Sequence, residues 1–74
     1  MMITSNFKKW HVKYYNARDD TIGEIELDYP ASFQAGMKTI KLEIIERAIE
    51  GNILLKDIKI LNINKENYKL EMEI

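Results

Sequence analysis

Two neighbouring stretches of this chain alternate apolar and polar residues and carry opposite charge. The first stretch, residues 7–15, is basic, whereas the second, residues 22–29, is acidic. Alternation with a period of two is typical of strands that bury one face and expose the other. The polar residues 16–21 between the two stretches favour a turn. The sequence therefore predicts a β-hairpin.

One register of this hairpin satisfies both of its faces. Pairing Tyr15 with Ile22 sets basic side chains or histidine against acids on the outer face, and apolar side chains together on the inner face. The predicted pairs are Lys13–Glu24, His11–Glu26 and Lys9–Asp28 outside, and Trp10–Leu27, Val12–Ile25 and Tyr14–Gly23 inside. A shift of one residue would move every side chain to the opposite face, so the pattern specifies this register strongly.

An amphipathic helix is predicted after Pro30, which ends the second strand because it has no N–H to donate. Apolar residues then recur every three or four positions, which is the spacing of a helix face. They are Phe33, Met37, Ile40, Ile44 and Ala48. The helix begins either at Ser32 or near Met37, with Thr39 as a later cap. Gly51 is expected to take the left-handed conformation at its end.

A second hairpin is predicted from residues 53–63 and 68–74, with residues 64–67 as its turn. Residues 64–67 read Asn-Lys-Glu-Asn, and Asn tolerates the left-handed conformation that such a turn requires. The expected pairs are Ile60–Met72 and Ile58–Ile74 inside and Lys59–Glu73 outside. Leu61 and Ile63 then lie on the charged outer face of the sheet.

These elements predict an α+β fold of two layers with the order ββαββ. A right-handed crossover places the third strand beside the first, which gives a four-stranded antiparallel sheet of order 2-1-3-4 with the helix on one face. The chain has 74 residues, so residues 1–74 are expected to form one small domain. The expected sheet contribution to the core is Trp10, Val12, Tyr14, Ile25, Leu27, Ile58, Ile60, Leu70 and Met72.

The composition argues against catalysis. There is no cysteine, the three glycines are dispersed, and His11 is the single histidine. Thiolate chemistry and glycine-rich phosphate loops are therefore excluded, and His11 has no evident nucleophile to assist. We expect a protein that is not an enzyme and that holds no cofactor and no metal.

The sequence also lacks the signals of export or membrane insertion. No apolar run approaches the roughly 18 residues that a membrane span needs, and no basic leader precedes an apolar stretch. We expect a cytoplasmic protein without a membrane partner. Ile, Lys and Asn are frequent, as AT-rich coding would produce, and this bias suggests a phage or mobile element of a low-GC bacterium.

Surplus apolar residues predict a protein partner. Leu61 and Ile63 are expected outside, and the last predicted strand leaves an open edge that carries Lys69, Glu71 and Glu73. Such an edge can accept a partner strand by β-augmentation. We expect a small binding protein, with an accessory, regulatory or inhibitory role, that occupies a surface of a larger partner, alone or together with self-association. Two simpler readings stay open: residues 1–5 fold back over this region, or single apolar residues are merely exposed.

Nucleic-acid binding is the alternative function. Basic and aromatic residues interleave in the first strand as they do on surfaces that stack bases. The candidate residues are Lys8, Lys9, His11, Lys13 and Tyr15. The acidic second strand would neutralise these lysines, however, and the formal net charge is -1. Because phosphate affinity requires uncompensated positive charge, we rank protein binding above this alternative.

Overall fold

The chain forms a three-stranded antiparallel sheet with one helix on one of its faces. The computed structural model describes residues 1–49, 51 and 53–73. Strand β1 spans Met2–Asn16, β2 spans Thr21–Pro30, helix α1 spans Met37–Ala48 and β3 spans Ile58–Glu73. A short 3-10 turn, Leu55–Asp57, precedes β3, and the strand order is β2-β1-β3. The predicted α+β class and the antiparallel pairing are confirmed, whereas the described residues contain no fourth strand.

The β1–β2 hairpin has the predicted register, and all six pairs derived from charge and alternation are formed. In its loop, the buried side chain of Asn16 accepts a hydrogen bond from the backbone N–H of Arg18 and donates one to Asp19. Asp20 adopts a left-handed conformation with φ of 53°, which Asp tolerates better than most residues. Side-chain bonding to a neighbouring backbone N–H thus closes the loop in the manner of an Asx-turn.

The hydrophobic core lies between α1 and the inner face of the sheet. Its buried members are Trp10, Val12, Tyr14, Leu27, Ile40, Ile44, Ile53 and Ile58. Ile40 and Ile44 lie one helical turn apart, so both project towards the sheet. Met37 and Ala48, at the two ends of α1, are exposed, and the buried stripe of the helix is therefore confined to its central turns.

Helix α1 begins at the later of its two predicted start sites. Gly36 precedes Met37 with extended backbone, and no side chain caps the first turn. Residues 31–36 form a loop instead, in which the ring of Phe33 stacks on that of Tyr29 at 4.7 Å between centroids. Gly51 has a positive φ of 93°, as predicted, but α1 ends earlier, at Ala48, with extended backbone at Ile49.

The predicted second hairpin is wrong, because Ile58–Glu73 is one continuous strand. It pairs with β1 along its whole length, and residues 64–67 lie within the ladder instead of forming a turn. Lys59 pairs with Tyr15 and not with Glu73, and Ile60 pairs with Tyr14 and not with Met72. The expected partner of Ile58, Ile74, lies outside the described residues. The physical reason is that β1 offers a ladder of 15 residues, which satisfies more backbone groups than a turn without Gly or Pro.

Because β3 contains a β-bulge, one of its apolar residues lies on a different face from the one predicted. Tyr14 pairs with Ile60 while Lys13 pairs with Asn62, so Leu61 is an extra residue in the ladder. A bulge of this kind shifts the alternation by one position. Ile63 consequently lies opposite Val12 and packs against the core instead of on the outer face. Leu61 remains partly exposed, at 43%.

Candidate protein interface

The two long strands continue beyond the rest of the domain as a projecting ribbon. The last residue of β2, Pro30, pairs with Phe7, and the N–H of Ala31 donates to the carbonyl of Asn6. Beyond this point, β1 pairs with β3 as its single neighbouring strand among the described residues. Residues 2–6 of β1 pair there with residues 69–73 of β3. We call these two segments the arm. Five residue pairs extend roughly 17 Å, and the arm contributes to a molecule that measures 49 × 21 × 17 Å.

The two faces of the arm differ in chemistry. Because Trp10 and Val12 face the core, the odd-numbered residues of β1 face outwards. On this outer face Ile3 pairs with Met72 and Ser5 pairs with Leu70. The opposite face is mostly polar, and its pairs are Met2–Glu73, Thr4–Glu71 and Asn6–Lys69. The arm is therefore an amphipathic ribbon whose apolar side is the outer side.

The apolar side of the arm is exposed. Ile3 is 39% exposed, Leu70 is 46% exposed and Met72 is 52% exposed. Where the arm joins the sheet, Phe7 and Tyr68 stack with 5.6 Å between ring centroids and extend the apolar strip. An isolated two-stranded ribbon is at best marginally stable in water, and contiguous exposed apolar residues mark interaction sites. The arm therefore exposes a contiguous apolar strip.

Strand β3 also presents a free edge. It pairs with β1 on one side and has no neighbouring strand among the described residues on the other. A strand of 16 residues with an open edge is a template for another strand. Beside this edge, one face of the arm is polar and carries Thr4, Asn6, Glu71 and Glu73. The other face is apolar and carries Leu70.

The structure brings together three of the five predicted partner-binding residues. Lys69, Glu71 and Glu73 lie side by side on the polar face of the arm. Leu61 lies at the bulge near the other end of β3, and Ile63 contributes to the core. Sequence reasoning missed Ile3, Phe7, Tyr68, Leu70 and Met72 as one exposed strip. In the sequence, Ile3 and Phe7 fall at positions of equal parity, which is a weak sign of a shared strand face. The pairing of this segment with residues 68–72 could not be predicted, because it depends on a distant strand.

We call the rest of the molecule, outside the arm, the body. On its outer face, His11 and Lys9 lie beside carboxylates. The Nδ1 atom of His11 is 3.3 Å from Glu26 and its Nε2 atom is 3.4 Å from Glu66. Lys9 lies 3.9 Å from Glu26 and 5.9 Å from the ring centroid of Tyr68. The two ring nitrogens of His11 reach carboxylates on two different strands, β2 and β3. His11 thus has a structural role in joining all three strands.

Two tyrosines reinforce this outer face through acidic partners. The hydroxyl of Tyr68 donates to Asp28 at 3.1 Å, and partial desolvation together with this bond raises the pKa of Tyr68. The hydroxyl of Tyr15 donates to Asp20, and this hydrogen bond raises the pKa of Tyr15. Both hydroxyls therefore remain protonated donors at neutral pH.

The five residues of the nucleic-acid alternative do not share one face. Lys9, His11, Lys13 and Tyr15 lie outside, with acids as neighbours, and Lys8 lies on the helix side beside the loop of residues 31–35. A shallow depression of about 540 Å³ on the outer face is lined by both signs of charge, including His11 and Glu26. This surface carries mixed charge and no uniformly basic groove.

Comparison with known protein-family models, with curated proteins and with solved structures gave no match to this chain. Within residues 1–49, 51 and 53–73, no three His, Asp or Glu side chains are grouped so that they could hold a metal ion. In the same part of the chain, no helix has the length and apolarity of a membrane span.

Proposed function

We propose that this chain is a small non-enzymatic binding protein that attaches to the surface of a larger protein through its arm. The observation that carries this proposal is the amphipathic arm, a projecting ribbon that leaves an apolar face exposed beside the free edge of β3. In a phage or mobile element, such a protein would act as an accessory or inhibitory subunit.

The chemistry of the arm defines the partner. An extended partner strand beside β3 would form a ladder of backbone hydrogen bonds, as in β-augmentation. It would carry apolar side chains beside Leu70 and Met72, an acid opposite Lys69 and a base opposite Glu71. Its affinity would come from the ladder and the apolar strip, and its specificity from the charges.

The body of the domain supports this mode of binding by holding the arm in place. β1 is anchored on both sides between residues 7 and 16, where β2 and β3 both pair with it. The strand therefore enters the arm from a fixed sheet. Because the arm is already held in place, binding orders only a few further residues of this chain. The entropy cost of association is therefore small.

The experiment compares two substitutions of similarly exposed leucines. Leu70 lies on the arm and is 46% exposed, while Leu42 lies on α1 and is 42% exposed. Proteins that the wild-type chain captures from host extract are identified, produced in pure form and titrated against Leu70→Lys and Leu42→Lys. We expect Leu70→Lys to weaken binding by at least about tenfold, since it places a charge in the apolar strip.

Equal affinity of both variants for every purified candidate would contradict the proposal, and so would turnover of a metabolite by the pure protein. Nucleic-acid binding stays a prediction, and the mixed charge of the outer face around His11 and Glu26 argues against it. Filter binding at low salt with single- and double-stranded probes tests it, because binding to phosphates is strongest under those conditions.

A further inference from the structure

The free edge of the arm is self-complementary. Residues 67–73 read Asn-Tyr-Lys-Leu-Glu-Met-Glu. When two copies of this segment run antiparallel with Leu70 opposite Leu70, each Lys69 faces a Glu71 of the other copy. Tyr68 then faces Met72 on the apolar side. Opposite charges and matched apolar groups across strands are the pairs that stabilise a sheet.

Neighbouring registers lose this match. Centring the pair on Lys69 sets two lysines against each other, and centring it on Glu71 sets two glutamates against each other. Registers without a residue on the axis oppose apolar to polar side chains, such as Leu70 to Lys69. Since directly opposed residues share a face, the registers without a residue on the axis would place charged side chains within the apolar strip.

From this register we infer that a second copy of the chain occupies the edge of the arm, with Leu70 of both copies on the two-fold axis. The inference rests on the proposed function, in that it treats the same edge of β3 as the binding element and names its occupant. The contact is isologous, so it closes at two copies and does not propagate into a fibre.

The pairing converts two marginal ribbons into one four-stranded sheet of order β1-β3-β3-β1. On its outer face, Ile3 and Met72 of one copy line up with Tyr68 and Phe7 of the other. Three or more strands with an apolar face reach independent stability, which a two-stranded ribbon does not. The pairing therefore explains why the chain extends β1 and β3 beyond β2.

The shape of the chain permits this dimer. The overlap spans seven residues, or roughly 24 Å, and each body lies at the opposite end of the pair. Two molecules of 49 Å each would give a particle of roughly 75 Å after this overlap is subtracted. Because the interface is small, we expect a weak dimer that dissociates in the micromolar range.

A charge-reversal series tests the register by sedimentation equilibrium across the micromolar range. Lys69→Glu and Glu71→Lys each set like charges across the axis, so each should weaken self-association by about tenfold. The double variant, and an equimolar mixture of the two single variants, restore opposite charges and should restore association. Lys59→Glu, on the same strand outside the overlap, is the matched control and should leave association unchanged.

Cross-linking gives an independent readout, because the chain contains no cysteine. Leu70→Cys places two thiols directly opposite each other on the axis, where Cβ atoms of paired residues are about 4.5–5.5 Å apart. This variant should form a disulfide-linked dimer on mild oxidation. Met72→Cys, whose cross-axis neighbour is Tyr68, should form far less.

Three results would overturn the inference: a wild-type chain that stays monomeric, a charge-reversed pair that fails to restore association, or cross-linking as efficient at position 72 as at position 70. A monomeric wild type whose binding to a purified partner is still weakened by Leu70→Lys would reject the second copy as occupant and leave the proposed function standing. A dimer with the expected charge pattern that binds no other protein would support the inference and contradict the proposed function.

Discussion

The ammonium group of Lys65 lies 4.1 Å from the centroid of the Trp10 ring, directly across the β1–β3 ladder. The Trp10 side chain is buried, and Lys65 lines the same depression as Trp10 and the loop of residues 31–35. A cation over an indole face contributes about 0.5–1 kcal/mol at an exposed site. This contact exists only because residues 64–67 continue the strand.

Removal of this cation should lower stability by that amount. We expect Lys65→Ala to reduce the free energy of unfolding by about 0.5–1 kcal/mol, and Lys65→Arg to retain most of it. The measurement is urea unfolding followed by Trp10 fluorescence. Lys59→Ala, also on β3, is the control. If Lys65→Ala and Lys59→Ala behaved alike, the stacking of Lys65 on Trp10 would have no energetic role.

The packing of Tyr14 over Gly23 gives a second prediction. A Cβ atom at position 23 would overlap the phenol ring of Tyr14, which is buried in the core. Overpacking of this kind usually costs about 1–3 kcal/mol. We expect Gly23→Ala to destabilise the protein by that amount in the wild-type background.

A double-mutant cycle identifies the cause of that loss. In a Tyr14→Ala background the ring is gone, so Gly23→Ala should cost less than in the wild type. The difference between the two costs is the interaction energy of the pair. An equal cost in both backgrounds would show that backbone flexibility at Gly23, and not contact with Tyr14, explains the effect.

The hairpin loop should make stability depend on pH through Asp19. Hydrogen bonds from Arg18 at 3.0 Å, and a further one from Asn16, hold the pKa of Asp19 below its ordinary value of 3.8. The contribution of Asp19 is therefore fully present above that ordinary value. It is lost as the pH falls through the lowered pKa of the folded state, since the unfolded state binds the proton first.

The measurement is urea unfolding of the wild type and Asp19→Asn from neutral pH into the acid range. We expect the wild type to be more stable at neutral pH and the difference to shrink as the pH decreases. Thr21→Ala, just outside the loop, controls for general effects of substitution. A difference that stays constant with pH would refute the role of the Asp19 charge.

Part of the candidate site was predictable from sequence alone. An open edge with Lys69, Glu71 and Glu73 was expected, with these side chains on the outer face of the sheet. The structure places them together on the helix-side face instead, because they pair with even-numbered residues of β1. The apolar face was not expected, because Leu70 and Met72 had been assigned to the core and both are exposed. Alternation shows that residues share a face, but it does not show which face another element covers.

The sequence by itself determined the β1–β2 hairpin, its register and the presence of a helix after Pro30, while the start of that helix stayed open between Ser32 and Met37. Each depends on neighbours in the chain: alternating charge specifies the pairing of Lys13 with Glu24, and helical spacing places Ile40 and Ile44 on one face. Only the tertiary structure decided that residues 58–73 form one strand. Residues 64–67 favour a turn weakly, and a long neighbouring strand gives each of them a paired residue in the ladder, so the distant ladder outweighs the local preference.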